Sequence, residues 1–143
     1  MEQTQGLGEE SKLENEKVIK YMGTARIKLE WLHFQEGELD FKHIQELKSC
    51  FHKDCRRLDV RNHVPAIIDQ QHLDAALRLF GISEAGLPKS SRYEFPELGF
   101  WNGYRLICLH GRQRIEAAKL ALSPPSNKWW PMNLYLAGTA SSV

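Results

Sequence analysis

A chain of 143 residues and 16.5 kDa, 42% hydrophobic and 26% charged, has the size and composition of one ordinary globular domain, which excludes a disordered or membrane-embedded protein. With 19 basic and 18 acidic side chains the net charge is +1, so no global field captures nucleic acid and any polyanion site has to be local. Three cysteines (Cys50, Cys55 and Cys108), a start without an apolar run and no stretch approaching the roughly 18 apolar residues of a membrane span point to an intracellular, reducing setting, nucleus or cytoplasm.

Residues 1–22 read as an acidic lead-in, disordered or partly helical: the first 16 carry five acidic side chains against Lys12, and 17–22 suit a short helical turn. The domain is expected over 23–137, with a loop insert at 82–103 and a tail at 138–143. Ala25, Ile27, Leu29 and Trp31 alternate with Arg26, Lys28 and Glu30, which predicts a half-buried strand over 24–32. Asp40 is placed to cap a helix whose Ile44, Leu47, Lys48 and Phe51 recur at three- and four-residue steps and which ends near Lys53.

The run Val64-Pro65-Ala66-Ile67-Ile68 predicts a second strand, with Pro65 at its start or on a sheet edge. Asp69 then caps a helix with Leu73, Ala76, Leu77 and Phe80 inward, and Gly81 suits the left-handed position after it. The 82–103 insert is rich in Gly and Pro and packs through Tyr93, Phe95, Phe100 and Trp101. Residues 106–109 are apolar on both faces and predict a central strand. A helix over 112–122 follows, stopped by Ser123-Pro124-Pro125, and 129–136 forms a last strand, with Trp129 and Trp130 packing in the core and at an edge. Ile27, Leu29, Ile44, Leu47, Ile67, Leu77, Ile107, Ile115 and Leu134 are the expected shared core.

The chemically distinctive segment is Leu106-Ile-Cys-Leu-His-Gly-Arg-Gln-Arg-Ile-Glu-Ala-Ala-Lys, which passes from strand to helix through one glycine. Arginines in a first helical turn oppose the macrodipole, normally by about 0.3 to 1 kcal/mol. An anion bound there would remove the conflict by taking backbone N–H groups and a bidentate guanidinium from Arg114. His110, Gly111, Arg112, Gln113 and Arg114 are therefore the candidate phosphate-binding residues. Both arginines pointing into water is the alternative. Arg56, Arg57 and Arg61 precede the second strand and are weaker candidates for completing the pocket, because a charge run there is usually solvated.

Cys50, His52, Cys55 and His63 are zinc-type ligands, but their spacing is not that of a finger and Cys50 falls on the inward side of its helix, so no metal site is expected. His110 has no partner with which to form a catalytic set, and no catalytic residue is assigned.

This junction resembles the signature of the ParB/sulfiredoxin class, in which a buried strand ends in a Gly-containing turn that leads through polar and arginine residues into a helix opening with Ala-Ala-Lys or similar. Gly111, Arg114, Ala117, Ala118 and Lys119 match those places, and Arg26 to Leu32, Ile44 to Phe51 and Pro65 to Ile68 follow the order of elements, so the likeness covers about 24–137. It implies a single small α/β (α+β) domain with a mixed sheet and flanking helices that holds nucleotide phosphates. Segments such as Gly23-Thr-Ala-Arg, Glu30-Trp-Leu-His-Phe, Cys55-Arg-Arg-Leu-Asp and Cys108-Leu-His-Gly-Arg are also similar to a fungal family without an assigned function, some of whose members occur with mobile elements.

Arg112 stands where ParB proteins carry an acid and where sulfiredoxins carry their cysteine, and Gln113 replaces a usual arginine. The expectation is thus a non-hydrolytic nucleotide- or phosphate-binding module acting within a nucleic-acid transaction. The nucleotide is CTP or ATP, magnesium is left open, and no cofactor is required. A degenerate fold used for protein association through the aromatic loop at 93–101 is the alternative, and a phosphotransferase or nuclease using an acid such as Glu116 is the third.

Overall fold

The alternating residues of the first predicted strand do bury one face: Ala25 and Ile27 are fully enclosed and Leu29 nearly so. The computed structural model describes residues 17–35, 37–83, 87, 95–101 and 103–139. Within them the chain forms β1 (Lys17–Lys28), a 3-10 turn at Leu29–Trp31, β2 (Leu32–His33), α1 (Phe41–Asp54), β3 (Val64–Ile68) and α2 (Gln70–Phe80). After these come β4 (Glu97–Leu98), β5 (Leu106–Cys108), α3 (Arg112–Ala121) and β6 (Trp129–Thr139). The six strands make one mixed sheet in the order β2-β5-β3-β6-β1-β4, so the α/β class expected from the sequence holds. β6 runs antiparallel to β1 and parallel to β3, while β5 runs antiparallel to β3 and parallel to β2. No helix among the described residues is long and apolar enough to cross a membrane.

The helix boundaries follow from their caps. Asp40 and Asp69 accept from the backbone N–H of His43 (3.1 Å) and His72 (2.8 Å), each taking an otherwise orphaned first-turn donor. Gly81 closes α2 at φ +66°, where its N–H reaches the carbonyls of Leu77 and Arg78. One core joins Ala25, Ile27, Val64, Ala66, Ile68, Leu73, Leu106, Ile115, Met132 and Leu134. Trp130 lies inside it with its indole N–H on the Asn62 carbonyl at 2.7 Å, whereas Trp129 is only partly buried.

Several expectations need correction. β1 reaches back to Lys17, so 17–22 is strand and not a helical turn; a register shift between Tyr21 and Gly23 breaks the alternation there. The strand also ends at Lys28, four residues short of the expected limit, and Leu32 belongs to a separate short strand. β6 runs on to Thr139, because pairing with β1 extends to Lys17↔Thr139. Pro65 stands inside a central strand, one residue from its start, and its carbonyl accepts from Leu109 N–H at 3.0 Å.

The strand expected at 106–109 is interior but only three residues long, and one of its faces is open although Ile107 is paired on both sides: Ile107 is 48% and Leu109 50% exposed. Ile67 and Leu47 are likewise only partly buried. Cys50 is exposed, not inward. Within the insert, 97–98 pairs with β1, Phe95 is buried against the His63 ring and Trp101 faces solvent; Tyr93 lies outside the described residues.

The α2 cap supplies a test. Partial burial pulls the Asp69 carboxyl upward, but hydrogen bonds from the His72 backbone and ring outweigh it and hold the group below its usual range. A lowered folded pKa gives stability that is present above the unfolded value and lost as pH falls through the folded one. Asp69→Ala should lower unfolding stability by about 0.5 to 2 kcal/mol at neutral pH, as removal of an N-cap does. In urea titrations the difference from wild type should shrink below the ordinary aspartate range; an unchanged midpoint at neutral pH would remove the cap from the account.

Candidate functional site

The register places the end of β5 at the middle of β3, where Cys108 faces Ala66, and Leu109 N–H then reaches the Pro65 carbonyl nearer its start. The chain then turns over β3 through His110 and Gly111 into α3. Gly111 has φ +95°, and a Cβ there would come within 2.9 Å of Val64 Cγ2, so both conformation and space call for glycine. Ile115 N–H donates to the Gly111 carbonyl at 3.1 Å as the first helical bond, and no side chain caps the terminus. The amides of Arg112, Gln113 and Arg114 thus lack an intrahelical acceptor and a side-chain cap.

The five candidate residues part company here. Arg112 turns back, its Nη1 donating to the carbonyls of Gly37 at 3.0 Å and Gln35 at 3.5 Å, and ties the turn to the segment after β2. Arg114 makes no hydrogen bond or ion pair with any described residue; with Glu38, His43, Leu47 and Gln113 it lines a cleft of about 260 Å³. The Gln113 carboxamide oxygen is buried without a partner among the described residues. His110 is exposed and borders a second cleft, of about 450 Å³, walled by Phe34, Ile107 and Leu109. The two clefts meet along Gly111 and Arg112. Burial drives the Cys108 thiol in the second cleft up to about 12, against the opposing backbone N–H of His33 and the charge of Lys119, so the sulfur stays protonated and unreactive.

His43, Glu38, Leu47 and Phe34 are site residues that the sequence did not announce. They arrive because α1 packs on α3 and β2 pairs with β5, contacts between segments about 70 residues apart that leave no local pattern.

The weaker candidates come to the same end of the sheet but are engaged elsewhere. Arg56 pairs with Asp54 and Arg61 with Asp59, both at 2.8 Å, and Arg61 holds the Asp59 carboxyl down at about 2. Arg57 donates to the carbonyls of Asn127 and Trp129, both at 3.0 Å, and to Asn127 Oδ1 at 2.6 Å, while stacking 3.5 Å from the Trp129 ring centre. Glu116 pairs with Lys119 on its own helix at 3.4 Å. His63, one of the four zinc-type residues, has its two ring nitrogens against Asn133 Oδ1 and the Leu58 carbonyl, both at 3.1 Å. Among the described residues no group of three or more His, Cys, Asp or Glu is arranged to hold a metal ion.

Residues 20–143 match the family model described as the N-terminal domain of a protein of unknown function, DUF3723. No curated protein and no solved structure matches the chain.

Two outcomes check this geometry. Gly111→Ala forces a left-handed alanine, about 1 to 2 kcal/mol by itself, and drives its methyl into Val64, so urea denaturation should show a loss above that range. In a thiol-reagent assay at mildly alkaline pH, Cys50 should react in the folded protein and Cys108 only after unfolding. Equal rates for the two would contradict the burial of the second cleft's floor.

Proposed function

The chain belongs to the DUF3723 N-terminal domain family, and we propose that the turn at 110–114 binds the phosphate of a nucleotide-like ester without hydrolysing it. The observation that carries the reading is the uncapped, glycine-permitted start of α3 with Arg114 beside it, unpaired with any described residue. Backbone N–H groups and a free guanidinium are the donors that a phosphate accepts best. The likeness of the single-glycine junction to ParB/sulfiredoxin proteins supports the same assignment.

The chemistry of the paired clefts narrows the ligand. The smaller holds the Arg114 guanidinium, the His43 ring, the Gln113 amide and the Glu38 carboxylate, and the larger is walled by Phe34, Ile107 and Leu109. A phosphate in the first and a base or other flat apolar group in the second would use both, and Glu38 at the margin offers an acceptor for a sugar hydroxyl or hydrated magnesium. Arg112 contributes by holding the wall between them, not by contacting the anion. Glu116, the acid named for a phosphotransferase or nuclease, is paired with Lys119, which leaves Glu38 as the carboxylate lining the cleft with the turn.

A protein-association role has one specific observation in its favour: Trp101, 54% exposed, borders a cleft of about 380 Å³ with His72 and Tyr104.

A thermal-shift panel of CTP, ATP, GTP and inorganic phosphate, with and without magnesium, tests the proposal. A ligand bound only by the folded state adds RT ln(1 + [L]/Kd), about 2.7 kcal/mol at a hundredfold excess over Kd. At least one nucleotide should raise the melting temperature, and Arg114→Ala should abolish the rise at a stability cost within roughly 0.5 kcal/mol for a surface substitution. No shift from any of the four in the wild type would remove the site and leave the Trp101 surface as the better account.

A further inference from the structure

At the end of β1 and the start of β6 a second group of cations, none of which lines either cleft, lacks acidic partners among the described residues. β1 alternates Ala25 and Ile27 inward with Arg26 and Lys28 on the opposite face, and Lys28 is the register partner of Trp129 on β6. The Arg26 guanidinium lies 5.3 Å and that of Arg57 3.5 Å from the Trp129 ring centre, while Lys28 Nζ is 5.5 Å from that of Trp31. Glu97 is the strand neighbour of Arg26 on β4, yet among the described residues no ion pair within 4.0 Å involves Arg26, Lys28 or Arg57.

Arg26 Nε is fully buried without a hydrogen-bond partner among the described residues. A partly desolvated guanidinium left without acceptors is costly, and a second cation beside it raises the cost. Burial and repulsion from Arg26 both pull the Arg57 pKa down, against the Cys55 thiol, which pulls it up. Arg57 retains unused N–H groups after its three bonds to Asn127 and Trp129.

We propose that Arg26, Lys28 and Arg57, set among the indoles of Trp129 and Trp31, form a surface for the phosphodiester backbone of a single-stranded nucleic acid. Two residues along a strand advance about 6.7 Å, so Arg26 and Lys28 stand at a separation comparable to that of successive phosphates in an extended strand. Cations set beside aromatic rings, here the partly buried Trp129 and Trp31, are the combination that tracks such a backbone while tolerating any base. An acidic peptide would use the charges but leave the indoles without a role. This surface is independent of the turn at Gly111, and the modest net charge of the chain does not argue against it, since three local cations suffice.

The test is fluorescence anisotropy of a short labelled oligothymidylate with the full chain, at salt between about 50 and 200 mM. Each phosphate contact on a single strand contributes roughly 0.7 to the slope of log affinity against log salt, so three contacts predict about a twentyfold loss of affinity over that range. Arg26→Gln with Lys28→Gln should reduce the loss to about threefold. Lys28→Gln alone, an exposed change that leaves the fold intact, should fall between. Arg105→Ala, an exposed arginine at the other end of the sheet, should behave as wild type. Salt-independent or absent binding, an unchanged slope in the double variant, or polyglutamate competing as well as unlabelled oligothymidylate would overturn the proposal.

Discussion

The antiparallel pairing of β1 with β6 is the contact on which the domain rests. Eleven register pairs, from Lys17↔Thr139 to Lys28↔Trp129, lay the first described strand against the last. β4 docks on the free side of β1, while β3, then β5 and β2, are added on the far side of β6. Closing a loop that spans nearly the whole domain costs entropy before any short strand is rewarded, but that cost grows only with the logarithm of loop length. A long ladder can meet it. The two-residue strands β2 and β4 and the three-residue β5 have too few bonds to stand alone and depend on it.

What the sequence revealed, and what it hid, follows from the same division between local and distant causes. The caps at Asp40 and Asp69, the left-handed Gly81 and the strand at 64–68 are written in neighbouring residues, and each lies where the sequence reading placed it. The span of β1 and β6 was not readable, because 17–22 and 137–139 become strand only by meeting one another. Ile107 was assigned to the core because an apolar run carries no information about which face of its strand will be covered. Ile107 is flanked by His33 and Ile67 in the sheet, yet its side chain stays 48% exposed, because strand neighbours cover edges and not faces.

The candidate site shows the same limit at finer scale. Gly111 was legible, since a lone glycine between an apolar strand and a helix with Ala-Ala-Lys has few other uses, and the structure adds the reason that nothing larger fits over Val64. The divergent roles of Arg112 and Arg114 were not. They are two residues apart on a helix and leave it in different directions, one toward the carbonyls of 35–37 and the other into the cleft beside His43. Arg57 was grouped with Arg56 and Arg61 as one basic run, yet it alone is partly buried and stacked, because its partner Trp129 lies about 70 residues downstream.

These separate destinations change the electrostatic argument at the helix start. Two arginines there seemed to oppose the macrodipole together. Arg112 escapes that cost by carrying its charge to backbone carbonyls outside the helix, where it acts as a strut. The unfavourable term, about 0.3 to 1 kcal/mol for an exposed charge in the first turn, then falls on Arg114 alone. A term that small is tolerable on a solvated surface, so the macrodipole by itself does not demand a ligand. What sets this turn apart is the combination around it: first-turn amides without a side-chain cap, a Gln113 oxygen buried without a donor among the described residues, and Arg114 lining the same cleft. Under the proposal made above, Arg114 and the first-turn amides are the donors that an anion accepts. The phosphate-binding reading proposed above rests on that combination and not on the macrodipole.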